Sequence, residues 1–107
     1  MTPQRLDQVI SAISDATRRA IIERLRKGPA RVTDLSLPFE MSLNGVSKHI
    51  KVLERAQLVR RTRNGREHTL ELQAEPLRAV MAWTSRFEQF WTERLDNLED
   101  FFTKDKP

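Results

Sequence analysis

The sequence predicts one mainly α-helical domain with a small β-hairpin, in the order helix, helix, helix, helix, hairpin, helix. Its 107 residues are a common length for a single domain with one core. Apolar residues recur at three- and four-residue spacing through most of the chain, as they do in amphipathic helices. Two runs of strand-forming residues flank Asn64-Gly65, a dipeptide that favours a two-residue hairpin turn. We therefore treat residues 1–107 as one domain.

The first two predicted helices are defined by the residues at their ends. Thr2-Pro3 combines a suitable N-cap with a proline at the first helical position, which predicts a helix over residues 3–13. A second helix is expected over about 15–27. Gly28-Pro29 ends it, because glycine tolerates the left-handed cap conformation and proline cannot continue a helix.

The third and fourth helices are predicted from the same kinds of signal. Thr33-Asp34 favours a short helix that ends near Pro38. Ser42 is the expected N-cap of a longer helix from Leu43 to about Ala56. The apolar residues on one side of this fourth helix form an inward stripe: Val46, Ile50 and Leu53.

A hairpin and a long last helix complete the order. A type I′ turn at Asn64-Gly65 would pair Val59 with Leu70, Arg61 with His68, and Arg63 with Arg66. Pro76 then opens a helix predicted over residues 76–103, which is rich in large apolar residues.

The fourth helix and the hairpin carry the basic charge of the chain. Residues 42–66 hold seven lysines and arginines against Glu54 alone. The net charge of this segment is therefore 7 − 1 = +6, which exceeds the formal net charge of +4 for the whole protein. The outward face of the fourth helix has polar and cationic groups that can donate to base edges and phosphates: Asn44, Ser47, Lys48, Lys51 and Arg55. The hairpin projects three arginines: Arg61, Arg63 and Arg66. A solvated amphipathic helix is the alternative for the helix alone, and the adjacent basic hairpin favours a winged helix-turn-helix that binds DNA.

Several other classes of function are excluded or disfavoured. The chain has no cysteine, so thiolate metal sites and thiol redox sensing are ruled out. It has two histidines, His49 and His68, and no glycine-rich phosphate loop or triad-like spacing. We therefore expect no enzyme activity, no metal and no cofactor. No secretory signal and no long apolar span are present, so a cytoplasmic location without a membrane partner is expected.

The first and last helices are the expected dimer interface. The last helix has more apolar surface than one side of a small monomer needs, and its spacing is typical of a helix–helix seam. A ligand pocket is the weaker alternative. We expect residues 3–13 and 76–103 to form a homodimer through a set of apolar side chains: Leu6, Val9, Ile10, Ile13, Phe87, Trp91, Leu95 and Leu98.

Two sequence blocks resemble the ArsR family of winged-helix repressors. They are SDATRRAIIERLRKGPARVTDL and MSLNGVSKHIKVLERAQLVRRTRNGREHTLEL, and the resemblance covers about residues 4–98. It implies a cytoplasmic homodimer that binds a palindromic operator in double-stranded DNA and represses its own operon until a ligand releases it from the DNA. By motif match it places DNA contacts within residues 33–72, on the recognition helix at Ser42, Asn44, Ser47, Lys48, His49 and Lys51 and on the wing at Arg61, Arg63 and Arg66.

The chain departs from the metal-sensing members of that family. Those members carry a thiolate pair in the third helix, where this chain has RVTDL, and others bind zinc through a last helix that here has no histidine in residues 76–107. No inducer is assigned. Gly45 lies inside the recognition helix, where it would either let the backbone approach DNA or be tolerated near a frayed end.

Two rival functions remain open from sequence. An antitoxin-like or adaptor module would grip a protein through the aromatic last helix, but it would not need the basic segment. A nonspecific architectural DNA-binding protein would need the basic charge without discriminating between sequences.

Overall fold

In a computed structural model, which describes residues 2–104, four α-helices precede a β-hairpin and two follow it. The helices are α1 (Pro3–Ile13), α2 (Ala16–Arg26), α3 (Val32–Ser36), α4 (Leu43–Arg55), α5 (Leu77–Ser85) and α6 (Glu88–Lys104), with a 3-10 turn over Leu37–Phe39. The strands are β1 (Ala30–Arg31), β2 (Val59–Asn64) and β3 (Glu67–Leu72). The predicted mainly α fold with a small hairpin is confirmed.

Local capping explains where three of the helices begin. The Thr2 side chain accepts from the Arg5 amide at 3.2 Å, Asp15 from the Arg18 amide at 3.0 Å, and Ser42 from the Gly45 amide at 3.1 Å. Each oxygen thereby satisfies one of the free N–H groups of a first helical turn. The predicted starts of α1, α2 and α4 are confirmed to within a residue.

The start of α3 also lies within a residue of the prediction, but no side chain caps it. The helix begins at Val32, one residue before the expected Thr33-Asp34, and its N-cap residue Arg31 makes no side-chain capping bond. The Asp34 carboxylate instead accepts from the Arg31 guanidinium at 2.9 Å. A side chain engaged in that pair does not cap the backbone.

The three strands form an antiparallel sheet in the order β1-β3-β2. Strand β1 was not predicted, because two residues are too few to show a period. The wing, defined as residues 59–72, pairs Val59 with Leu72, Arg61 with Leu70 and Arg63 with His68. The expected pairing was wrong by two residues.

The register is explained by the turn of the wing. Asn64 pairs with Glu67, so the two loop residues are Gly65 and Arg66. A positive φ occurs at Gly65 (64°) and not at Arg66, which fits a type II′ turn rather than the expected type I′. This register removes Arg63 from a position opposite Arg66, where like charges would repel, and keeps an apolar pair, now Val59 with Leu72, at the base of the wing.

The core lies where α1, α2, α3 and α4 meet the base of the sheet. The inward stripe of α4 is confirmed, since Val46, Ile50 and Leu53 are fully buried. At the end of α4 the Leu58 amide donates to the Leu53 carbonyl at 2.9 Å, and Gln57 takes the left-handed conformation with φ 60°. This is a Schellman ending, and it turns the chain directly into the wing.

The last helix is broken, which corrects the prediction of one helix over 76–103. α5 ends at Ser85 and α6 begins at Glu88. The Thr84 hydroxyl donates to the Val80 carbonyl at 3.0 Å and the Ser85 hydroxyl to the Ala82 carbonyl at 2.8 Å. Such bonds compete with the backbone hydrogen bonds of the helix and bend it. At the break the Phe87 amide donates to the Thr84 carbonyl, three residues back, instead of making the four-residue bond of an α-helix.

Helix α6 leaves the core and exposes its apolar side. α1 packs against α5, whereas every described α6 side chain is exposed in the single chain. No helix within residues 2–104 has both the length and the apolar character needed to cross a membrane.

Candidate nucleic-acid interface

The outward face of α4 is available to a ligand. Asn44, Lys48, Lys51 and Arg55 are exposed, and Ser47 is half-buried. Because the inward stripe fixes the rotation of α4 about its axis, these side chains point away from the core. They offer amide, hydroxyl and cationic donors of the kind that a DNA major groove accepts.

The first turn of α4 is shaped by Ser42 and Gly45. The Ser42 hydroxyl oxygen already accepts from the Gly45 amide. A Cβ at position 45 would lie 3.2 Å from the Cε atom of Met41, whose side chain packs against the core. Glycine therefore leaves room for Met41, which is a packing reason for this residue within a helix.

A groove of about 500 Å³ separates α4 from the wing. Ser47 lines it from α4, Thr33 from α3, and Arg66 and His68 from the wing. The groove therefore brings a recognition-helix hydroxyl and a wing guanidinium to one concave surface. Thr33 lies within the expected DNA-contacting segment 33–72, but the sequence did not single it out, since its position at the start of a helix was its only signal.

The tip of the wing carries exposed cations. Arg63 and Arg66 are exposed, and no carboxylate of residues 2–104 lies within ion-pairing distance of either. Arg60 differs, since it pairs with Glu71 at 3.4 Å across the strands. Both tip guanidinium groups can bind a phosphate without first breaking an ion pair.

Arg61 does not project as expected. Its guanidinium donates to the Glu54 carboxylate at 2.7 Å and to Nδ1 of His68 at 2.8 Å, and its side chain is 16% exposed. Two of its N–H groups are therefore engaged between α4 and the wing, so Arg61 does not extend freely from the hairpin, and the DNA contact expected of it stays a prediction.

His49 also lies away from the outward face. Its Nδ1 atom is 3.3 Å from the Arg18 guanidinium and 3.8 Å from the Asp15 carboxylate. Arg18 in turn donates to the Ala12 carbonyl at 2.7 Å. His49 therefore joins α4 to the α1–α2 corner, and the DNA contact that the family resemblance implies for it stays a prediction.

An acid titration of stability is expected to reveal the Asp15 cap. The backbone hydrogen bond from Arg18 is the main cause that lowers the pKa of Asp15 below 3.8, against a smaller opposing effect of desolvation. A lowered folded pKa adds stability that is complete above the ordinary pKa and is lost as pH falls through the folded one.

The measurement is the urea midpoint of the wild type and of Asp15→Asn, from about pH 2.5 to 6. Asparagine keeps a capping oxygen and removes the charge. We expect the wild type to be more stable by a constant amount above about pH 5, and the difference to shrink below about pH 4. A difference that does not change with pH would contradict this account.

In the part of the chain that the structure describes, no three His, Asp or Glu side chains come together as a metal site would require.

The fold and the site define the class of protein. A helix with a polar donor face stands beside a basic two-stranded projection on a helical core, which is a winged helix-turn-helix for DNA. Residues 13–62 match a family model described as a helix-turn-helix domain. The HTH-type transcriptional regulator Rv2034 of Mycobacterium tuberculosis is 37% identical over 83% of this chain and 80% of its own length.

Two further relatives agree with this class. The transcriptional repressor SdpR of Bacillus subtilis is 29% identical over 77% of this chain and 91% of its own length. The crystal structure of an ArsR family transcriptional regulator superposes with a TM-score of 0.80 at 38% identity, covering 86% of this chain and 95% of that one. The chain belongs to the ArsR family of winged helix-turn-helix transcriptional regulators, and it is a regulator rather than an enzyme.

Proposed function

We propose that this protein is a cytoplasmic homodimeric repressor that binds a palindromic operator, including one that controls its own gene. The observation that carries the proposal is the continuous basic and polar surface made by the outward face of α4 and the tip of the wing. The similarity to a repressor, SdpR, supports the direction of regulation.

The contacts divide by chemistry. Asn44 and Ser47 are short polar side chains near the start of α4 and are assigned to base edges. The exposed cations contact phosphates, which supply affinity and register rather than sequence discrimination: Lys48, Lys51, Arg55, Arg63 and Arg66. Ser42 lies beside the free amides at the N-terminus of α4, where a phosphate is also favoured.

The homodimer is supported by the apolar side of α6. Trp91 is 61% exposed and Leu95 is 65% exposed in the single chain, and Phe87 and Leu98 continue the same side. A second copy is the occupant that this surface fits, because self-association about a twofold axis buries the same stripe on both partners. The axis would place two α4 helices about 34 Å apart, one turn of DNA, which matches a palindrome.

The first helix contributes less than expected to such an interface. Val9 is completely buried in the core of its own chain, so the expectation that it contacts a partner is corrected. Ile13 packs partly against the same core. Ile10 is exposed, and with Leu6 it remains in the proposed interface.

Base discrimination should depend on Asn44 and Ser47. We expect Asn44→Ala or Ser47→Ala to lower the ratio of operator to scrambled-duplex affinity by about 5- to 150-fold, the equivalent of roughly 1–3 kcal/mol for a lost base contact. The operator is first mapped by footprinting upstream of the gene, and affinities are then measured by fluorescence anisotropy.

Ser11→Ala is the matched control, since Ser11 is an exposed helical serine on α1, outside α4 and the wing. If all three variants keep the wild-type ratio, the assignment of base contacts fails. A wild-type ratio near one would instead indicate an architectural DNA-binding protein.

A further inference from the structure

Glu54 occupies an unusual position in the basic part of the chain. It is the only carboxylate in residues 42–66, and an acid there opposes DNA binding by repelling phosphates. Its side chain is 32% exposed and faces Arg61, so it is held inward rather than on the outward face of α4. Its carboxylate therefore has a role other than contact with DNA.

Three side chains from three elements meet at this point. Glu54 lies in the last turns of α4, Arg61 in β2 and His68 in β3. The Arg61 guanidinium donates at 2.7 Å to Glu54 and at 2.8 Å to Nδ1 of His68. Because arginine has no acceptor, Nδ1 of His68 is the acceptor and the imidazole carries its proton on Nε2.

These contacts connect α4 to the wing. Within residues 2–104, Glu54–Arg61 is the ion pair that crosses between them. The other ion pairs of the wing stay within the sheet: Arg60–Glu71 joins β2 to β3, and Arg31–Glu67 joins β1 to β3. The crossing pair is also shorter and less exposed than either of those.

Arg61 is placed to control the tip of the wing. Arg63 lies two residues further along β2, on the same face of the strand and about 6.6 Å nearer the tip. A strand whose inner end is held to α4 by a charged hydrogen bond presents its outer end at a defined angle. The base of the wing is held by Val59 and Leu70 in the core and by the pairing of β1 with β3, and the charged hydrogen bond adds a direct link from α4 to β2.

We propose that Glu54, Arg61 and His68 form a bridge that sets the angle between the recognition helix and the wing, and so determines whether both can bind one operator at the same time. All three are positioning residues rather than DNA contacts. The inference rests on the proposed DNA-binding function and adds the means by which its two binding elements are held in register.

The test compares Glu54→Gln with Glu71→Gln. Both variants remove one negative charge, and Glu71 belongs to the exposed pair on the same hairpin, so the electrostatic effect on DNA binding is matched. By charge alone, both should bind DNA equally or more tightly. The bridge instead predicts that Glu54→Gln binds the operator at least about 10-fold more weakly, while Glu71→Gln does not.

The salt dependence gives a second readout. If the wing no longer engages, up to two phosphate contacts are lost, and the slope of log K against log salt becomes shallower by about 0.9 for each. A merely structural role would change the thermal midpoint without changing this slope. Equal affinity and equal slope for Glu54→Gln and Glu71→Gln would overturn the proposal.

Substitutions at His68 keep the test open if Glu54→Gln does not fold. Asparagine offers an acceptor oxygen close to the position of Nδ1, so His68→Asn should retain most operator affinity. His68→Leu removes the acceptor and should weaken binding in the same way as Glu54→Gln. Equal binding by both His68 variants would remove His68 from the bridge.

A wing-neutral background separates this inference from the proposed function. In Arg63→Gln, Arg66→Gln, the Glu54→Gln change should have no further effect on operator affinity, because the contacts that it positions are already absent. If Arg63→Gln, Arg66→Gln binds as tightly as the wild type, the wing contact itself fails. If that pair weakens binding and Glu54→Gln matches Glu71→Gln, only the bridge fails.

Discussion

Replacing Trp91 and Leu95 together with lysine is expected to make the protein monomeric at low micromolar concentration and to abolish specific operator binding with it. Both residues lie on the apolar side of α6 and are more than half exposed in the single chain. Four side chains of the dimer would each lose on the order of 1 kcal/mol of apolar burial. The dimer dissociation constant should therefore rise by about 10³ or more.

Loss of the dimer also removes cooperation between half-sites. A monomer can hold only one half of a palindrome, so its contacts with phosphates and bases are halved. The oligomeric state is measured by sedimentation equilibrium and operator affinity by anisotropy on the same samples. A folded monomer with wild-type operator affinity would refute the dimeric mode of binding.

The control places the same charges elsewhere on the helix. Gln89→Lys, Thr92→Lys adds two positive charges, as Trp91→Lys, Leu95→Lys does, but outside the apolar stripe: by helical periodicity Gln89 lies opposite it, and Thr92 lies about 100° around the helix from Trp91. It should remain dimeric and bind the operator at least as tightly as the wild type. Dissociation of this control would show that charge on α6, rather than the apolar stripe, decides assembly.

Reversing the charge at the tip of the wing has the second large expected effect. Arg63→Glu, Arg66→Glu converts two phosphate-binding cations into groups that phosphates repel. Operator affinity is expected to fall at least about 100-fold at 0.15 M salt, with a salt slope shallower by about 1.8 per protomer. Scrambled DNA should lose a comparable factor, since phosphate contacts carry no sequence information.

A second charge reversal isolates the local contact. Arg24→Glu, Arg26→Glu on α2 produces the same change in net charge, which is +4 in the wild type, but leaves α4 and the wing unaltered. Any difference between the two double variants then reflects contact at the wing rather than the overall field of the protein. Equal affinities for both double variants would contradict the role of the wing.

Part of the candidate site could be predicted from the sequence because it depends on neighbours along the chain. Thr2, Asp15 and Ser42 each cap a helix through an amide three residues away. The inward stripe of α4 follows from three- and four-residue spacing, and it fixes the opposite face as polar. The resemblance to the ArsR family rests on two continuous sequence blocks, SDATRRAIIERLRKGPARVTDL and MSLNGVSKHIKVLERAQLVRRTRNGREHTLEL. Short-range spacing therefore determined the order of elements, the rotation of α4 and the class of protein.

Other features were decided by residues far apart in sequence. In the sequence Arg61 looks like the exposed arginines beside it, but in the structure it donates a hydrogen bond to Glu54, seven residues away. The orientation of His49 likewise depends on a contact with Arg18, 31 residues away. The shifted wing register depends on packing of its base against the core. The lone acid among seven bases was a signal for the Glu54 contact, but the sequence could not identify its partner.

The dimer residues show the same division. The sequence determined that α1 and the last helix each have an apolar stripe, since periodicity alone defines a stripe. Only the tertiary structure decided that Val9 is completely buried within its own chain while the apolar side of α6 remains exposed. The spacing of apolar residues shows which of them share one side of a helix. Their burial depends on which other element covers that side. The apolar side of α1 is covered by its own domain, whereas that of α6 is not.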